Sequence, residues 1–209
     1  MSQAAYNRYF NQKIANDAGG EDVRCFMPCV HLSEDQAVTK SADGIIAAFQ
    51  CGIAKTTKTT GFEEMPFPRT VSATVAAETV GDIKAVQVTI TGTNAAGEVI
   101  TENLPAFTVD TAGTVTGAKA FASITKVEVP LMDGASPTVS IGWGDAIGIG
   151  YLLPHNTVLA AYKDNTKEGT APTVAVSATA IESNTCLLNS ALNGKVVDIY
   201  LFVKSQAPA

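Results

Sequence analysis

Charge is what this sequence has least of. Asp, Glu, Lys and Arg make up 16% of its 209 residues, against roughly 25% in an ordinary soluble domain. Thr, Ser, Asn and Gln must therefore supply most of the polar surface. Such a surface suits a chain that packs against neighbouring subunits, because a domain standing alone in water usually carries more charge. A secreted β-domain is the plainer alternative. The net charge is −6 and the Lys and Arg residues are scattered. Without a basic cluster, nucleic acid is not an expected partner. Ile45-Ile46-Ala47-Ala48-Phe49 is far shorter than the roughly 20 apolar residues of a membrane helix, so no membrane partner is expected either. The opening Met1-Ser2-Gln3-Ala4-Ala5-Tyr6-Asn7-Arg8 lacks the apolar core of a secretory signal.

Catalytic groups are equally sparse. His31 and His155 are the only histidines, and neither stands in a motif with a nucleophile. There is no G-x-S-x-G, P-loop or H-E-x-x-H pattern. Glu63 and Glu64 are adjacent, so an extended backbone points them to opposite sides. Asp17 to Asp22 lacks the ligand alternation of an EF-hand. The run Gly142-Trp143-Gly144-Asp145-Ala146-Ile147-Gly148-Ile149-Gly150 superficially resembles a phosphate loop. No βαβ unit surrounds it, so it reads as a strand end with a tight turn. The four cysteines are Cys25, Cys29, Cys51 and Cys186. Without a secretory signal they are expected to be free thiols. Cys25, Cys29 and His31 sit near zinc-ligand spacing, but no second half-site follows, so neither metal nor cofactor is expected. The chain reads as a non-enzyme.

What is present is alternation. Val86, Val88 and Ile90 interleave with Gln87, Thr89 and Thr91, the period of a half-buried strand. Asn94 and Gly97 bracket a turn, and a second run returns through Leu104, predicting a hairpin with a four- or five-residue loop. Further strands are expected over 44–54, 70–75, 114–117, 124–129, 138–143, 157–162, 173–180 and 195–203. Many short strands with Gly, Pro and Asn turns predict an all-β fold, an antiparallel sandwich or barrel, over residues 67–209. Residues 1–66 differ in texture. Tyr6 to Ala18 has a helical spacing at Tyr6, Phe10 and Ile14, and Gly19-Gly20 would stop that helix. Pro28 argues against a central strand in the apolar stretch 23–32. This region is expected to be an arm or small lobe that contacts neighbouring subunits.

Four pieces, taken in order, resemble small virion proteins encoded near the capsid gene of tailed bacteriophages. They are Pro68-Arg69-Thr70-Val71, the Val88 to Glu98 turn, Thr114-Val115-Thr116-Gly117-Ala118-Lys119-Ala120-Phe121, and Ile124-Thr125-Lys126-Val127-Glu128-Val129-Pro130. The Ile141 to Gly148 stretch is similar too, although that family more often has a small or polar residue where Trp143 stands. The resemblance covers roughly residues 66–150. It implies a virion structural protein, first a decoration (cement) protein that binds the major capsid protein and copies of itself as a trimer or other small oligomer. It would be assembled in the host cytoplasm. A tail, collar or head-tail junction protein is the alternative, and a carbohydrate- or receptor-binding module comes after that. The expected interface residues are Phe62 and Phe67 in the proline-flanked extended segment, Arg69, Asn94 in the hairpin turn, and Trp143.

Overall fold

A computed structural model describes residues 25–204. The architecture is all-β, and every strand pairing is antiparallel. Among the described residues there is no α-helix, only single 3-10 turns at Val80–Asp82 and Ile181–Ser183. The strands are β1 (Cys25–Phe26), β2 (Cys29–Leu32), β3 (Ser41–Gln50), β4 (Thr56–Lys58), β5 (Arg69–Ala76), β6 (Thr89–Thr93), β7 (Val99–Asn103) and β8 (Gly113–Phe121). They continue with β9 (Ser123–Val129), β10 (Thr138–Gly148), β11 (Val158–Lys163), β12 (Thr166–Lys167), β13 (Thr173–Ala175), β14 (Thr185–Leu187), β15 (Val197–Leu201) and β16 (Val203–Lys204). The expected helix at Tyr6 to Ala18 lies outside the described residues.

Strand β10 organises the molecule. Its first half lies between β3 and β5, with Thr138 opposite both Gln50 and Ala76. Its last residues, Ile147 and Gly148, pair with Cys186 and Thr185 of β14. The change of neighbour coincides with a register shift against β5 between Trp143 and Ile147. Glycine makes this crowded path possible. A side chain on Gly142 would run into the Ser41 carbonyl, and one on Gly144 would stand 2.6 Å from the Thr70 hydroxyl. The expected strand end and tight turn at 142–150 is therefore corrected. The strand runs through Gly148, and the glycines serve close packing.

Two cores result. The first lies between β3, β5 and the first half of β10 on one side and the sheet β4-β9-β6-β7 on the other. Ile45, Val71, Val75, Val88, Ile90, Phe121, Val127 and Ile141 fill it. The hairpin forms as the alternation requires. Val88 and Ile90 are fully buried, Val86 packs at the margin, and Gln87 is exposed. Its loop spans residues 94–98, closed by the Asn94 N–H on the Glu98 carbonyl at 2.9 Å, with Gly97 at φ +79°. The second core lies between Ile147, Ile149, Leu153 and Cys186 and the sheet β12-β11-β15-β2, which contributes Val30, Leu32, Ala161, Val197, Ile199 and Leu201.

Residues 25–66 are not a separate arm, and the expected boundary at 66/67 does not divide the packing. Strand β2 pairs with β15, β3 with β10 and β4 with β9. Leu32, Ile45 and Cys51 are completely or almost completely buried. The sequence hid this because β3 carries two register shifts against β10, and the alternation breaks where Ala47, between buried Ile45 and Phe49, is exposed. Its partner also lies about ninety residues downstream. The Pro28 argument does hold. Strand β2 starts just after that proline and lies at the edge of its sheet among the described strands.

Candidate interaction face

The five expected interface residues are brought to no common surface. Arg69 is 0% exposed. Its Nη1 donates to the Val38 carbonyl at 2.9 Å, and Nη2 stands 3.9 Å from Asp145 Oδ1. Burial pulls the guanidinium down to about 10 against the pull of Asp145. Lys40 joins Asp145 from the outside at 3.5 Å. Asn94 is 1% exposed. Its Oδ1 accepts the N–H groups of Ala96 and Glu98 at 3.0 Å, and its Nδ2 donates to the carboxylates of Glu98 and Glu182. It holds the hairpin loop shut and ties it to the 3-10 turn at Ile181–Ser183. The Trp143 indole packs on the first core and donates from Nε1 to the Thr39 carbonyl at 3.0 Å. Phe62 packs on the first core and Phe67 on the second. All five make contacts within their own chain. Arg69 and Asn94 are enclosed, whereas Phe62, Phe67 and Trp143 are partly buried and keep part of their surface exposed.

The face that is available lies on the sheet β12-β11-β15-β2. Residues of β15 alternate, Val197, Ile199 and Leu201 inward, Asp198 and Tyr200 outward. Across the register, Tyr200 meets Cys29 and Ala160, while Asp198 meets His31 and Tyr162. One outer surface therefore gathers Cys29, His31, Ala160, Tyr162, Asp198 and Tyr200. The Tyr162 and Tyr200 rings meet edge to face, 5.8 Å apart at 90°, a favourable aromatic arrangement. Leu159 is the extra residue of a bulge. Val158 pairs with Leu201 and Ala160 with Tyr200, so nothing faces Leu159, and it is 50% exposed. Met27, on the link from β1 to β2, is 57% exposed. Met27, Leu159, Ala160, Tyr162, Asn165, Asp198 and Tyr200 enclose an open groove of about 480 Å³. Asp164 and Asn165 at its rim both have positive φ, 51° and 59°. They form a two-residue turn between β11 and β12 that matches the twist of the paired strands. Phe26 and Phe202 add 45% and 44% exposed rings near the small β1-β16 pair.

The electrostatics of this face are quiet. His31 Nδ1 and Asp198 Oδ1 lie 2.8 Å apart, and the Cys29 thiol donates to the same oxygen at 3.5 Å. Burial, then the bond to Asp198, raises the Cys29 thiol above its ordinary value, the reverse of the lowering that activates a nucleophile. Among the described residues no group of three His, Cys, Asp or Glu side chains is arranged to hold a metal ion. His155, Glu63 and Glu64 are exposed. What the surface offers is area, with two tyrosines, one carboxylate and protruding apolar side chains. The alternation of Tyr200 with its buried neighbours was readable in the sequence, but the bulge at Leu159 was not.

No family model matches the chain, no curated protein matches it significantly, and no solved structure matches its fold significantly.

Proposed function

We propose that this chain is a non-enzymatic structural protein of a tailed-bacteriophage virion, and first a decoration protein that binds the major capsid protein on the head surface. The ordered motif resemblance over residues 66–150 points to the virion. The observation that carries a binding role is the outer face of β12-β11-β15-β2. There the exposed side chains of Met27 and Leu159 stand at a tyrosine-lined groove, and exposed apolar area of this kind marks interaction sites. A lattice of many copies makes weak contacts collectively strong, so modest affinity per copy suffices. A sandwich without functional loops serves such a role well, because its interior is closed and its work is done by surface.

Adding the purified protein to capsids that lack it tests this reading. Stoichiometric binding, particle images with density at regular lattice positions, and a higher temperature of genome release are the expected results. Density only at the tail or the connector would move the protein to the alternative position in the virion. Failure to bind any particle component would sink the reading.

A second reading draws on the groove itself. Tyr162 and Tyr200 with Asn165 and Asp198 combine ring surface with hydrogen-bonding groups, the mixture a saccharide site uses. Titration with a panel of surface glycans, followed by chemical shifts of the tyrosine rings, separates it from the first.

A further inference from the structure

We propose that Lys119 and Asn94 become joined by an amide bond that the folded chain makes by itself, with Glu182 carrying the protons. The modification lies within one copy and is independent of the virion reading.

The fold brings three distant side chains to one point. Asn94 closes the loop between β6 and β7, Lys119 lies on β8, and Glu182 stands in the 3-10 turn at Ile181–Ser183. Asn184, fully buried, fixes that turn by donating from Nδ2 to the carbonyls of Ser177 and Ala180. One Glu182 oxygen stands 3.4 Å from Lys119 Nζ, and the other accepts from Asn94 Nδ2 at 3.4 Å. A single carboxylate thus touches both the amine that attacks and the nitrogen that leaves.

The Asn94 amide is already arranged for attack. Its Oδ1 accepts the N–H groups of Ala96 and Glu98, each at 3.0 Å. Two backbone donors on one carbonyl oxygen make an oxyanion hole, which stabilises the charge that appears once a nucleophile adds. Nδ2 also donates to Glu98 Oε2 at 2.9 Å, so the orientation of the amide is fixed at both ends. Asn94 is 1% exposed, and solvent has little access to its Cγ. Lys119 Nζ rests on the Thr101 carbonyl at 3.2 Å. Leaving that carbonyl frees its flexible stem to swing onto Cγ.

The step balances without a co-reactant. Burial raises the Glu182 carboxyl, but its own backbone N–H, Asn94 and Lys119 together hold it below its ordinary value. It is therefore ionised at neutral pH and accepts a proton from the Lys119 ammonium, freeing the Nζ lone pair. A bond forms from Nζ to Cγ, and the negative charge falls on Oδ1. The adduct collapses and the Cγ–Nδ2 bond breaks. Lys119 gives up two protons in all, one before attack and one after. Both pass through Glu182 to Nδ2, which departs as ammonium and leaves Glu182 ionised again. Nothing is oxidised or reduced. The event happens once per chain, so held proximity suffices where turnover would demand speed.

The product would staple the first core. Asn94 belongs to the hairpin of the sheet β4-β9-β6-β7, whereas β8 pairs with β5 in the facing sheet. A covalent tie between the two layers restricts the unfolded chain as a disulfide does, and reductant cannot undo it.

The intact mass of the full chain, measured in denaturant, tests this. The parent should be lighter than its sequence by one ammonia, and digestion should yield one branched peptide containing both Asn94 and Lys119. Lys119→Arg keeps the cation but removes the nucleophile, and should show its full calculated mass. Glu182→Gln, which cannot accept the proton, should slow the loss at least tenfold. Circular dichroism of both variants should match the parent. A parent that keeps its full mass after prolonged warm incubation would overturn the inference. So would a loss of ammonia that persists in Lys119→Arg, since that is ring closure of Asn94 onto the Ala95 nitrogen. Cross-linking of Glu182→Gln at the parental rate would overturn the role given to the carboxylate.

Discussion

The Trp143 indole occupies the space where a side chain on Gly44 would stand. A Cβ built there would lie 2.5 Å from Cη2 and 2.6 Å from Cζ3 of the ring. This contact locks β3 onto β10 and absorbs the only tryptophan of the chain into the first core's margin. The Gly44→Ala variant should lose about 1–3 kcal/mol by overpacking, read as a lower urea midpoint with an altered tryptophan emission. An unchanged midpoint would mean that the ring can move aside freely.

Val88 is fully buried between the two sheets of the first core. Val88→Asp places a charge there without a partner. A loss of about 4 kcal/mol or more is expected, read as a large fall in the urea midpoint followed by circular dichroism. Gln87→Asp, one residue earlier on the exposed side, should change the midpoint by less than about 0.5 kcal/mol.

At the joint between the cores, Arg69 Nε and Nη2 have no hydrogen-bond partner. A buried cation satisfied only in part contributes little beyond its volume. Arg69→Met, which keeps that volume, should stay within about 1.5 kcal/mol of the parent. Arg69→Ala opens a cavity and should cost about 3 kcal/mol or more. Equal losses in thermal melts of the two variants would show that the charge itself holds the joint.

The Glu102 carboxylate of β7 accepts the N–H groups of Ala118, at 2.7 Å, and Lys119 on β8. Burial nevertheless raises its pKa above the ordinary 4.5, with those hydrogen bonds opposing. The folded state then holds this proton more tightly than the unfolded chain does. Its contribution to stability falls as pH rises from about 4.5 through the folded value, and is constant above. Against a Glu102→Gln variant, the parent should therefore lose ground between pH 4 and pH 7 in paired urea titrations. The opposite slope would mean that the hydrogen bonds outweigh burial.

Three thiols are free in the structure, one exposed at Cys29 and two buried at Cys51 and Cys186. Burial pushes Cys51 up to about 11 and Cys186 up to about 12. In a Cys25→Ser background, one equivalent of an aromatic disulfide reagent should react with the folded chain, faster at alkaline pH. Two more equivalents should appear only in denaturant. Early reaction of a second thiol would indicate local opening of a core.

The sequence by itself determined the fold class and the hairpin at 85–104, because both rest on local alternation that burial of one sheet face enforces. Tertiary structure decided what local pattern cannot carry. Strand β9 shows the limit. Ile124 and Val127 are both buried although three residues apart, because the register against β6 shifts between Thr91 and Gly92. The strand expected over 173–180 ends at Ala175, where Asn184 takes over the backbone of Ser177 through side-chain hydrogen bonds. The union of residues 25–66 with the sandwich, and the sharing of β10 by two cores, depend on partners scores of residues apart. Arg69 and Asn94 read as surface groups until those pairings enclosed them. The groove on β11 and β15 exists only because a bulge turns Leu159 outward and the link after β1 brings Met27 beside it. Both are consequences of how the sheets close, and no run of neighbouring residues records them.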